Sequence, residues 1–220
     1  MATYVLIHGG SMSSETWNLL AKRNDFPPGE HLANRCWDGT VKFLTAHGHR
    51  VFAPALQDEF SCDLTGHIRQ VCTLITDNSL VNIILTGHSY GGMVITGVAN
   101  ALPGKLRRLV YLDAALPEPG QSLFDILELG LACANGNVPN LMDKAPPYVE
   151  KIQFDPAKLQ YIPKTYIRCT QSDFKDMTRM AEEKITSEKQ NWTYLELPSS
   201  HVPMADMPDA FYRMMLEQAY

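Results

Sequence analysis

The chain has 220 residues, 45% of them hydrophobic and 20% charged, with a formal net charge of -5. That size suits one domain with a sizeable core, or one domain carrying a small insertion. Acidic and basic residues are interspersed, which excludes the basic stripe of a nucleic-acid-binding surface, and no apolar run is long enough to cross a bilayer.

The start, "MATYVLIHGG", reads straight into a strand over residues 3–7. It lacks the basic start, long apolar stretch and small-residue cleavage site of a secretory signal, so a cytoplasmic location is expected. Residues 18–35 ("NLLAKRNDFPPGEHLANR") are charged and contain Pro27-Pro28-Gly29, so they read as an inserted loop. A helix is expected over 36–47, a strand over 49–54, a helix over 64–77, a strand over 81–87, a helix over 90–102 and a strand over 106–114. Residues 116–162 break this rhythm. They hold six prolines (Pro117, Pro119, Pro139, Pro146, Pro147 and Pro156) among Leu123, Phe124, Ile126, Leu127, Leu129 and Leu131. This apolar, proline-punctuated excursion reads as a small lid over one edge of a sheet. A strand over 164–170, a helix over 175–188, a strand over 191–198 and a helix over 206–219 complete the chain.

Most of the strand-like runs are continuously apolar, as in strands buried on both faces. Their alternation with helices implies a parallel sheet with right-handed crossovers. The expected fold class is therefore α/β: one domain over 1–220, a mainly parallel six-stranded sheet flanked by helices, and a lid at about 116–162. The five cysteines (Cys36, Cys62, Cys72, Cys133, Cys169) are widely spaced with no C-x-x-C pair, so free thiols are expected, with no metal site and no disulfide framework.

The chemistry centres on "NIILTGHSYGGMVI", residues 82–95. With Gly and Ser each near 7%, G-x-S-x-G would occur by chance in about one chain in fourteen of this length. Here, however, it ends a strand and opens a small-residue helix, the setting in which the serine becomes a nucleophile. Ser89 then needs a base and the base an orienting carboxylate, in the chain order Ser, acid, His. Of seven histidines only His201 lies beyond residue 88, in "LPSSHVPM" just past the last strand. Two carboxylates are candidates for the acid. Asp173 follows the strand immediately before the histidine-bearing one and is preferred. Asp113, at the end of the fourth strand in "VYLDAAL", is the alternative, unless it caps the first turn of the lid. Acyl transfer also needs N–H donors for an oxyanion, and Gly10, which closes "LIHGG", and Tyr90 after the serine are the natural pair. His8 is read as bracing that loop. Phe124, Leu127, Leu131, Met142 and Val202, with Met204, are expected to form an apolar substrate wall.

The stretches "VLIHGG", "WDGTVKFLTAHGHRVFAP", "LTGHSYGGMV", "LVYLDAALPEPG", "TYIRCTQSDF" and "LPSSHVPMADMPDAF" span nearly the whole chain and resemble the α/β-hydrolase superfamily. Within it they are most similar to the branch of plant methylesterases, hydroxynitrile lyases and bacterial esterases. The resemblance implies an α/β-hydrolase fold and a triad of Ser89, Asp173 and His201, whose 28-residue acid-to-histidine spacing fits that branch. It implies a serine esterase, whose acyl-enzyme mechanism requires no metal or organic cofactor. The apolar wall suits small, fairly apolar esters, and the charge and hydropathy patterns point to no nucleic-acid or membrane partner. Monomer and homodimer both stay open. The tryptophan-led helix of the branch maps onto Trp37, which leaves residues about 16–35 as extra. Hydroxynitrile lyases of the branch carry Thr after the first histidine and Lys after the last, where this chain has Gly9 and Val202. The same triad would also serve a thioesterase, a lactonase, a C–C bond hydrolase or a slow ligand-binding receptor.

Overall fold

Six strands, β1 (Thr3–Ile7), β2 (Arg50–Phe52), β3 (Ile83–His88), β4 (Leu106–Leu112), β5 (Lys164–Cys169) and β6 (Trp192–Leu197), form one parallel sheet in the order β2-β1-β3-β4-β5-β6. The structure, a computed structural model, describes residues 1–10, 13–133, 143–188 and 191–220. All six residues of β3 are buried, as its uninterrupted apolar run requires at the centre of a sheet covered on both faces. The chain builds outward from β1 to β2 on one side, then from β3 to β6 on the other. The carboxyl ends of β1 and β3 therefore form the switch point where ligands gather in open parallel sheets.

The helices are α1 (Ser14–Ala21), α2 (Asp38–Ala46), α3 (Leu64–Asp77), α4 (Gly91–Ala101), α5 (Leu123–Cys133), α6 (Pro146–Val149), α7 (Pro156–Leu159), α8 (Lys175–Glu188), α9 (Pro203–Asp206) and α10 (Pro208–Glu217). Helix α4 is buried from Gly91 to Ala99. It crosses β3 and β1 so closely that side chains at the crossing are excluded. A Cβ on Gly87 would lie 2.4 Å from the Gly91 carbonyl oxygen, and one on Gly91 would lie 2.7 Å from that of Ile7. The glycines flanking the serine are thus set by backbone contact between strand and helix.

One stretch differs from the reading of the sequence. Part of residues 18–35 is helical, because α1 runs through to Ala21. Its N-cap Ser13 accepts from the Thr16 N–H and its end is closed by Lys22 in the left-handed region, φ 55°. Trp17, Leu20 and Ala21 repeat at helical spacing and are buried, a pattern masked in the sequence by the Pro-Pro-Gly that follows. The Asn18 side chain closes the loop, accepting from the Asp25 and Phe26 N–H groups and donating to the Phe26 carbonyl. Over 116–162 the described residues form α5, α6 and α7, which pack on α8, α3 and α4 respectively. Trp37 is fully buried, edge-on to His88 and beside Phe211.

Candidate active site

Ser89 follows β3 with φ 55°, a left-handed conformation that a non-glycine residue holds only at a cost of order 1–3 kcal/mol. Its backbone is fixed to the neighbouring strand: its N–H donates to Leu112 (3.2 Å), and its carbonyl accepts from Gly92 and Ala115 (3.1 Å each). The residue is half-buried. The register pairs His88 with Leu112, so Ser89 and Asp113 stand side by side at the edge of the sheet.

His201 is buried, and its Nδ1 lies 2.7 Å from Asp113 Oδ2. A carboxylate only accepts, so Nδ1 carries the proton and Nε2 is left with its lone pair, the tautomer a general base requires. Asp113 is wholly buried, and its other oxygen accepts from the Cys169 N–H at 3.0 Å. It too is left-handed, φ 41°, a conformation that Asp tolerates better than most residues.

The preference for Asp173 is corrected here. Asp173 does not meet His201; its side chain is 39% exposed and lies 3.6 Å from the Lys22 ammonium. The loop that carries Asp173 does reach the histidine, but through other side chains. Ser172 and Phe174, on either side of Asp173, are the ones at the histidine, with Ser172 Oγ 3.5 Å from Nδ1 and the Phe174 ring 4.5 Å from the imidazole. The physical reason is lateral distance. Strand β4 adjoins β3, whereas Asp173 lies four residues beyond the end of β5, one strand further out.

The expected oxyanion loop lies against the serine. A Cβ built on Gly9 would be 3.0 Å from Ser89 Cβ and 3.5 Å from Ser89 Oγ. Tyr90 opens α4 with φ -52°, so its N–H is among the helix-start donors that have no intrahelical acceptor. Its ring is held from behind: the hydroxyl donates to His67 Nδ1 at 2.9 Å, His67 Nε2 donates to the Gln57 carbonyl, and Tyr148 of α6 packs edge-on at 5.0 Å. Burial is the main cause that raises the thiols of Cys36, Cys62, Cys72 and Cys169, so none of these four offers a competing thiolate.

His8 braces the loop. Its Nε2 accepts from the Leu56 N–H at 3.0 Å, which puts the proton on Nδ1, donating to Gly9 at 2.7 Å. Burial lowers its pKa to about 4. The unfolded chain, with an ordinary histidine value of about 6.5, binds the proton more readily. Stability linked to His8 is therefore complete above pH 6.5 and is lost as the pH falls towards 4, by roughly 3 kcal/mol in all. Urea midpoints measured from pH 7 to 4 are expected to fall more steeply for the wild type than for His8→Gln.

Of the expected wall residues, Phe124 and Leu127 are half-buried on α5, with the Lys144 ammonium 5.6 Å over the Phe124 ring. Val202 is buried directly after His201, and Met204 is buried in α9. The Leu131 side chain and Met142 lie outside the described residues. The cleft bordering Gly9, Gly10 and Tyr90 is lined by His31, Asp58 and Glu59 together with Leu56 and Tyr148, and its cavity of about 20 Å³ holds one water-sized group. A larger cavity of about 380 Å³, floored by Tyr111 and Trp192, does not border Ser89, so size alone does not mark the site. The segment after the oxyanion loop leans on the histidine loop, where Arg23 donates to the Ala205 carbonyl at 2.7 Å.

A family model described as the alpha/beta hydrolase family matches residues 4–214. The chain belongs to the α/β-hydrolase family. Among curated relatives, this α/β-hydrolase is 39% identical to a carbendazim hydrolyzing esterase of a Nocardioides species over 140 residues, 60% of this chain and 49% of that protein. It is 34% identical to a pyrethroid hydrolase of Sphingobium wenxiniae over 93 residues, 39% of this chain and 33% of that protein. The matched stretches thus span half or less of these two relatives. Among solved structures, an extracellular alpha/beta-hydrolase from a Paenibacillus species aligns with a TM-score of 0.69 at 21% identity, over 99% of this chain and 98% of that one. That likeness is one of fold.

Proposed function

We propose that this α/β-hydrolase is a serine carboxylesterase that cleaves small esters. The buried His201–Asp113 pair, beside a serine held in a strained strand-to-helix turn, carries this reading. Ser89 attacks the ester carbonyl while His201 Nε2 takes the serine proton. Asp113 keeps the Nδ1 proton in place and stabilises the imidazolium. The N–H groups of Gly10 and Tyr90 receive the oxyanion. His201 returns its proton to the leaving alkoxide, and water then cleaves the acyl-enzyme by the same route in reverse roles. No step of this sequence calls on a metal or organic cofactor. The hydrolase names of the two curated relatives support an ester substrate. Residues 116–162 serve as the lid; Tyr148 of α6, packed on Tyr90, supports this role.

The test joins turnover to labelling. p-Nitrophenyl acetate and butyrate hydrolysis is followed over many turnovers, and the enzyme is then titrated with a fluorophosphonate. Steady turnover, abolished by one equivalent of reagent found on the Ser89 peptide, is the expected result. An inert wild type whose Ser89 stays unlabelled overturns the reading and favours a ligand-binding receptor.

A further inference from the structure

His201 has a long way to reach. It follows β6, three strands from β3, and its loop must pass back over β5 and β4 to arrive at Asp113 and His88. Several bonds shape that loop locally. Ser200 N–H donates to Asp206 at 2.7 Å, Val202 N–H donates to Ser200 Oγ at 3.2 Å, and the Ser199 carbonyl accepts from Gln171. None of these ties the loop to β3. The imidazole is held from β4, by Asp113.

One further bond makes the tie to β3. His88, the residue before the nucleophile, directs Nε2 at the His201 carbonyl oxygen at 2.8 Å, across 113 residues of sequence. A carbonyl only accepts, so His88 carries its proton on Nε2. Its Nδ1 is buried without a hydrogen-bond partner among the described residues, and would lie 3.3 Å from a Cβ built on Gly9. The His88 ring is 1% exposed, packs at a tilt against the His201 ring with centroids 4.6 Å apart, and meets Trp37 edge-on. One imidazole therefore touches the backbone of the base, the ring of the base and the oxyanion loop, and is joined covalently to the nucleophile.

We propose that His88 is a positioning residue, which pins the His201 main chain to the end of β3 while Asp113 pins the His201 side chain to the end of β4. With both restraints, Nε2 of the base is aimed from two adjacent strands, the same two that carry Ser89 and Asp113. With Asp113 alone, the ring keeps its tautomer but its backbone can drift, and misplacement by about an ångström at a reacting group can cost on the order of a hundredfold in rate. Burial and the neighbouring His201 both hold the His88 pKa well below the ordinary value, consistent with an imidazole that stays a neutral donor beside a base that must accept a proton.

This proposal rests on the esterase reading, and its test separates the two. His88→Leu fills much of the space but cannot donate; His88→Gln can place an amide N–H near the position of Nε2. On a p-nitrophenyl ester, His88→Leu is expected to lower kcat by about 10- to 100-fold with KM little changed, and His88→Gln to restore most of it. The second readout needs no turnover. The downfield Nδ1 proton of His201, bonded to Asp113, is expected in the proton NMR spectrum of the wild type and His88→Gln and to broaden in His88→Leu. Full kcat and an intact downfield proton in His88→Leu would overturn the proposal, as would equal losses in both variants that track a fall in Tm. An inactive wild type would overturn the esterase reading alone, leaving the NMR comparison to decide the role of His88.

Discussion

Ser89→Ala is expected to lower kcat on a p-nitrophenyl ester by about a millionfold, leaving only what binding and the oxyanion donors contribute over the reaction in water. The fold should survive the change. The interactions that hold this residue are main-chain ones, to Leu112, Gly92 and Ala115, and alanine keeps them all. The strain at φ 55° also remains, since alanine relieves none of it. Ser89→Gly therefore offers a companion measurement: it should lose activity equally but gain stability by about 1 kcal/mol, because glycine enters the left-handed region without a steric penalty. A raised Tm with abolished turnover would show that the turn stores strain for the sake of the hydroxyl. Activity within tenfold of wild type in Ser89→Ala would remove Ser89 as the nucleophile.

Most of the sheet was legible because its strands are short, continuously apolar runs with helices between them. The core of each expected strand is found within a residue or two of its observed limits. Helix α1 was obscured by the charged, proline-bearing stretch that follows it. The nucleophile was legible because Gly87 and Gly91 record a backbone contact, and such contacts leave a fixed spacing in sequence. The acid was not, because both Asp113 and Asp173 follow strands of the correct polarity. What separates them is the lateral strand order, and this follows from the packing of the whole sheet. The link from His88 to His201 was hidden for the same reason, since no local pattern registers a bond between residues 113 apart.

Asp113→Asn is expected to lower kcat about ten-thousandfold, and Asp173→Asn to leave it within about threefold. In the first variant the side-chain carbonyl of the new amide can still accept from the Cys169 N–H, which turns the amide nitrogen towards His201. That nitrogen donates, so Nδ1 must accept and the imidazole proton moves to Nε2. There it blocks the serine proton from being taken up, with every heavy atom close to its original place. In the second variant only a surface pair is lost. Both members of the Lys22–Asp173 pair are more than one-third exposed and 3.6 Å apart, and such pairs contribute about 0–1 kcal/mol. The reverse outcome, near-normal Asp113→Asn and inactive Asp173→Asn, would mean that the loop bearing Ser172 and Phe174 turns over when substrate binds and brings Asp173 to Nδ1. The double variant gives a further check. If Asp113 alone serves His201, adding Asp173→Asn to Asp113→Asn costs nothing more. If either carboxylate can serve, each single loss is modest and only the double variant falls the full ten-thousandfold.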